Sequence, residues 1–173
     1  MNHVYLITGV MAAGKSTVAE MLAARLPRAV HLRGDAFRRM IVSGREEMSA
    51  DASDAALAQL YLRYRISAMV AGEYLRAGFD VVLQDNYYGQ GLTDMLNMLD
   101  ALPVRTVVLC PDAETVKRRE AARGKVGYSG FAVESLREMF LRETPRIGYW
   151  IDSSNQTPED TVAAIIEHFR LGV

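Results

Sequence analysis

Val4-Tyr5-Leu6-Ile7-Thr8-Gly9-Val10-Met11-Ala12-Ala13-Gly14-Lys15-Ser16-Thr17 is the stretch that decides the architecture of this chain. Val4 to Ile7 is a short apolar, partly β-branched run, the mark of a buried strand, and it ends at Gly9. From Lys15 onward Val18, Met21, Leu22 and Leu26 recur at helical spacing until Pro27 stops them. Between strand and helix, Gly9 to Ser16 reads G-x-x-x-x-G-K-S, a phosphate-cradling P-loop. Its glycines let the backbone turn tightly enough for N–H groups to surround phosphate oxygens. The helix N-terminus adds a favourable dipole. Lys15 is a mobile cation for the β- and γ-phosphates, and the Ser16 hydroxyl is an oxygen ligand for magnesium. The expected nucleotide contacts are Gly9, Met11, Ala12, Ala13, Gly14, Lys15, Ser16 and Thr17, with ATP and Mg2+ as cofactors.

Outward from this loop the chain alternates. Ala29 to Leu32, Phe79 to Leu83, Val104 to Leu109 and Ile147 to Ile151 read as four further strands. A short helix is marked by Phe37, Met40 and Ile41, and a long one over 54–77 by Leu57, Leu60, Tyr61, Tyr64, Ala68, Ala71 and Leu75. Further helices are expected at roughly 92–101, 112–123, 132–143 and 158–170 from the same periodicity. Strands separated by helices predict an α/β fold with a five-stranded parallel sheet covered on both faces, a three-layer α/β/α sandwich. Ligands of such sheets bind beyond the carboxyl ends of the strands.

The 173 residues suit one domain spanning 1–173, and no repeat or low-complexity linker divides them. A net charge of −1 favours neither a nucleic-acid wrapper nor a membrane binder. No apolar run reaches the roughly 20 residues that cross a bilayer. The single cysteine, Cys110, forms no internal disulfide and suits a reducing cytoplasm.

Three more segments fall at strand ends. Asp35, after the second strand, can accept a proton from an attacking hydroxyl as general base, or can cap a helix beginning at Ala36. Asp85, after the third, can hold the water shell of magnesium or orient a substrate, or can be an ordinary turn residue beside Asn86. Arg119 and Arg123 share a helix face after the fourth strand. They can stack on a base and neutralise triphosphate charge, or form a solvated helix end. Gly124, Gly127 and Gly130 would let the following stretch hinge as a lid, about 119–131.

End to end the chain resembles the nucleoside-monophosphate-kinase-like P-loop phosphotransferases, in particular the group of chloramphenicol phosphotransferase, zeta toxins and polynucleotide kinase. The resemblance implies that Asp35, within Gly34-Asp35-Ala36-Phe37-Arg38-Arg39, is the general base and that Arg38 contacts the acceptor. It likens Gln84-Asp85-Asn86 to the acidic third-strand end of related kinases and Arg119-x-x-x-Arg123 to the lid motif, with one arginine on adenine and the next on phosphates. It places Asn155, in Asp152-Ser153-Ser154-Asn155-Gln156-Thr157-Pro158, at the turn that passes the adenine. The function implied is phosphoryl transfer from ATP to a hydroxyl of a small molecule such as a metabolite or antibiotic. The alternatives are a nucleic-acid 5′-hydroxyl as acceptor, or a nucleotide switch without kinase activity.

Other reactive residues take plain readings. Cys110 ends an apolar strand as a small core residue. Tyr61 and Tyr64 lie on the apolar helix face, and Trp150 packs in the fifth strand. His3, His31 and His168 show no metal-ligand spacing. Arg142 and Arg146 flank Pro145, near enough to the fifth strand to be weighed as phosphate contacts.

Overall fold

β1 (Val4–Gly9) is buried at every position, as a strand covered on both faces must be. The computed structural model describes residues 2–49, 51–122 and 132–173. After β1 come α1 (Lys15–Arg25), β2 (Ala29–Arg33), α2 (Gly34–Arg39), α3 (Asp54–Arg76), β3 (Asp80–Gln84) and α4 (Gln90–Met98). The chain continues through β4 (Val104–Leu109), α5 (Ala113–Ala122), α6 (Val133–Glu143), β5 (Tyr149–Ile151) and α7 (Pro158–Phe169). The sheet has five strands in the order β2-β3-β1-β4-β5, and every pair is parallel. The α/β sandwich expected from the alternation is therefore the fold.

The period-two alternation of side chains divides the core into two layers. Tyr5, Ile7 and Val82 face one side, where they meet Val18, Ala19 and Leu22 of α1 and Val162 and Ile165 of α7. Val4, Leu6, Val81 and Leu83 face the other, against Tyr64, Ala68 and Ala71 of α3 and Leu92 and Met95 of α4. Because β1 is central and its neighbours β3 and β4 lie on opposite sides, the P-loop emerges at the point where the chain changes direction across the sheet. Among the described residues no helix is long and apolar enough to cross a membrane.

Local signals explain where elements begin and end. Thr157 and Asp160 form a reciprocal capping box at the start of α7, with Pro158 as its first residue. The Ser53 hydroxyl accepts the Ala56 N–H to cap α3. At the other end of α3 the Phe79 N–H donates to the Tyr74 carbonyl around Gly78, whose φ is +83°. That wrap keeps Phe79 in the helix terminus, so β3 starts one residue later than hydrophobicity suggests. β5 likewise starts at Tyr149 rather than Ile147, because Gly148 turns at φ +79° against the carbonyl of Thr106. The short second helix differs most: it begins at Gly34, not Ala36, with Arg33 at the cap position and no side-chain cap.

Candidate functional site: a P-loop between two carboxylates and an arginine wall

The P-loop conformation rests on backbone angles at Gly9 (φ +144°) and Gly14 (φ +92°), with Ala12 also left-handed at φ +59°. At Gly9 the tight approach is to the neighbouring strand: a Cβ there would lie 2.1 Å from the Leu109 carbonyl oxygen. Lys15, buried at the start of α1, donates from Nζ to the carbonyls of Gly9 at 2.9 Å and Val10 at 2.8 Å. The ammonium thus lies along the inside of the loop it would share with phosphate. The Ser16 hydroxyl donates to Oε1 of Gln84 at 3.1 Å.

Beside the loop lies a cavity of about 250 Å³, lined by Ala13, Gly14, Thr17, Arg119, Ser153 and Thr161 among others. Arg119 of α5 forms its wall, donating to the Ala13 carbonyl at 3.0 Å and the Ser153 carbonyl at 2.9 Å. One guanidinium therefore ties the P-loop to the turn between β5 and α7. It is not a solvated helix end. Asn155, expected beside the base, is exposed, and Ser153 of the same turn lines the cavity. Arg123 and most of the expected lid lie outside the described residues.

A second group of charged side chains stands where β2 and β3 end next to each other. Asp35 stands in the first turn of α2 and pairs with Arg39 at 2.6 Å and Arg38 at 3.5 Å. Burial alone would raise its carboxyl, but Arg39, then Arg38 and Arg63, hold it below the usual carboxylate range. The capping alternative has no place here, since the side chain makes ion pairs rather than a cap bond. Arg38 is itself held between Asp35 and Glu47 of the loop that follows α2.

Asp85, just beyond β3, is buried against Arg63 of α3. Its Oδ1 accepts the Asn86 N–H at 2.8 Å, and Oδ2 lies 2.9 Å from Nε of Arg63 on α3. The Gly34 backbone presses on the same oxygen, since a Cβ at Gly34 would lie 2.2 Å from it. The Arg63–Asp85 contact is a charge pair without hydrogen-bond alignment, and both atoms are buried without a hydrogen-bond partner. Burial pushes the Asp85 carboxyl up, against the pull of Arg63, the Asn86 amide and the P-loop Lys15, with Asp35 adding to the rise. Arg63 is the site residue that sequence reading misses. Its signal was legible: Ala56, Leu60, Arg63, Tyr64, Ser67 and Ala71 share one helical stripe, and a cation inside it needs a buried partner. Removing that partner leaves a charge stranded, so Asp85→Asn is expected to cost about 3 kcal/mol of stability. Chemical denaturation measures it, and an unchanged midpoint would mean the pair contributes nothing.

The remaining candidates stay structural. Tyr64 is buried and donates to the Asn86 carbonyl at 3.1 Å, and Tyr61 donates to Asp94 at 2.5 Å. Cys110 is buried and its thiol is pushed up by burial. Arg142 pairs with Glu143 at the surface, and Arg146 lies over the Trp150 ring at 4.1 Å. Among the described residues no cluster of three or more His, Cys, Asp or Glu forms a metal site.

Known structures share this architecture. An APS kinase of Mycobacterium tuberculosis, solved with AMPPNP and APS, superposes with a TM-score of 0.75 at 15% identity, covering 98% of each chain. A tunicamycin resistance protein of Deinococcus radiodurans gives 0.70 at 15%, covering 98% of this chain and 96% of its own. A sugar kinase of Janibacter, solved unliganded, gives 0.68 at 18%, covering 99% and 96%. At these identities the likeness is one of fold, a kinase-like P-loop fold. No curated protein matches the sequence. The sequence profile of the AAA domain family does match, over residues 4–142. That span runs from the first residue of β1 into α6 and takes in the P-loop, both carboxylates and Arg119, so the chain belongs to the AAA domain family of P-loop proteins.

Proposed function

We propose that the protein is an ATP-dependent kinase that moves the γ-phosphoryl group to a hydroxyl of a small molecule. The observation that carries this reading is Asp35: a carboxylate just beyond β2, paired with Arg39 at 2.6 Å and Arg38 at 3.5 Å. A nucleotide switch has no use for such a base. The neighbouring kinases of known structure support phosphoryl transfer as the reaction class, without naming the acceptor.

In this reading Lys15 leaves the carbonyls of Gly9 and Val10 for the β- and γ-phosphates, and the loop N–H groups hold their oxygens. Magnesium, when bound with the nucleotide, offsets charge on the phosphate oxygens, and the hydroxyl of Ser16 is the protein oxygen suited to it. Asp35 orients the acceptor hydroxyl and takes its proton as the new O–P bond forms and the bond to ADP breaks. Arg38 contacts the acceptor, and Asp85 fixes Arg63 behind it. Arg119 holds the base side of the nucleotide, and Arg123 is assigned to the phosphates as the lid residue.

The test is a mass-spectrometric screen with ATP and Mg2+ against hydroxylated metabolites, antibiotics and 5′-hydroxyl oligonucleotides. A small molecule that gains one phosphoryl group, with matching ADP release, is the expected result. Label on an oligonucleotide alone would move the assignment to nucleic acid. ADP release independent of every acceptor would sink the kinase reading.

A further inference from the structure

The hydroxyl of a P-loop serine can offer its lone pairs to a cation only if its proton is directed elsewhere. In this chain the proton has a defined destination, because Ser16 donates to Gln84 Oε1 at 3.1 Å. Gln84 is buried at the last position of β3 and follows the alternation of that strand. It shares the sheet face of Val82, which packs with α1, the helix that carries Ser16. Asp85, one residue on, takes the opposite face, that of Val81 and Leu83, and meets α3. Of these two neighbours, Gln84 is the one whose side chain hydrogen-bonds Ser16, while Asp85 pairs with Arg63. Asp85 is also enclosed by Arg63, the Asn86 N–H and the Gly34 backbone, with Oδ1 hydrogen-bonded and Oδ2 buried beside the Arg63 charge. A magnesium ion at its 2.0–2.1 Å bond length, or one of its waters, would have to displace those contacts.

We infer that Gln84 is the residue that positions Ser16 for the nucleotide-bound magnesium, and that Asp85 is not on the cation side of the site. An amide carbonyl accepts the hydroxyl proton as a carboxylate would but brings no charge of its own. The cation would then be held by the triphosphate and Ser16. This inference rests on the proposed binding of a nucleotide with magnesium, not on phosphoryl transfer.

The experiment is calorimetric titration of the non-hydrolysable ATP analogue AMPPNP, once with Mg2+ and once with EDTA, into the wild type, Gln84→Leu, Gln84→Glu and Asp85→Asn. The wild type is expected to bind more tightly with Mg2+. Gln84→Leu, which keeps the volume and loses the acceptor, should forfeit about tenfold or more of that gain, as positioning residues of metal ligands do. Its affinity in EDTA should be unchanged. Gln84→Glu restores an acceptor and should keep the gain, as should Asp85→Asn. Equal loss of affinity with and without Mg2+ in Gln84→Leu would overturn the inference, because that is what a packing role produces. A full magnesium gain in Gln84→Leu, or none in the wild type, would overturn it too. Loss of the magnesium gain in Asp85→Asn would overturn the exclusion of Asp85, and the Gln84 variants decide the role of Gln84 by themselves. Since no acceptor is present, a chain that phosphorylates nothing can still pass this test, and failure here leaves the kinase reading to its own screen.

Discussion

Lys15→Ala is expected to lose turnover by at least about 10²–10³-fold while remaining folded, the scale of removing one preorganised charge donor from a developing anion. The lysine begins α1 and reaches back over the loop, where its charge would meet the phosphates. It donates to two loop carbonyls, and the alanine loses those bonds. Charge-assisted bonds of this kind contribute about 1–3 kcal/mol each before the cost of burying the ammonium is set against them. The net effect on thermal stability should be a few degrees in a chain of this size. The measurement is ADP formation at saturating nucleotide with the acceptor found by the screen, beside a thermal melt. Turnover within a few fold of wild type, from a variant with a normal melt, would remove the P-loop lysine from the mechanism.

The second large effect belongs to Asp35. Asp35→Asn keeps the side-chain shape and removes the proton acceptor, and kcat should fall by roughly 10²–10⁴-fold. Part of the loss is expected to lie in orientation, because phosphoryl transfer has a loose transition state. Stability should change little in either Asp35→Asn or Asp35→Ala, since the carboxylate is about one-third exposed and exposed pairs contribute under about 1 kcal/mol. The two variants should also melt alike. An N-cap would separate them, but here Arg33 holds the cap position. Wild-type kcat in the Asn variant would leave the mechanism without its base. The wild-type pH profile carries an independent sign. Because the arginines depress the Asp35 carboxyl, its base form persists as pH falls, and the acid limb of kcat/KM should lie below the ordinary aspartate value near pH 4. Arg39→Gln removes the nearest of those charges, so the limb should move to higher pH.

Much of this molecule is legible from one end of the chain to the other. The strand–loop–helix unit at 4–25 follows from an apolar run, two glycines and a helical period, all local features that hold wherever the segment is placed. The alternation that follows determines a parallel α/β sandwich, because parallel strands need crossover helices and those helices cover both faces. Element ends were less legible where a few backbone contacts decide them, as at Phe79, which the α3 terminus retains, and at Gly148, which the Thr106 carbonyl crowds.

The chemistry at the strand ends divides along the same line. Sequence by itself determined that a phosphate loop stands at 9–17 and that Asp35 and Asp85 lie just beyond strands, since position after an apolar run is a local property. It offered Arg119 and Arg123 either as a nucleotide-facing pair or as a solvated helix end, and the resemblance favoured the first. What those side chains face depends on which strands are neighbours. Only the insertion of β3 between β1 and β2 brings Gly34 onto Asp85, and only the packing of α3 on that face delivers Arg63 to the same carboxylate. Gln84 and Asp85 are adjacent in the chain, and a pattern of letters treats them alike. The pleat turns one toward Ser16 and the other toward Arg63, and that choice exists only once the sheet has two covered sides.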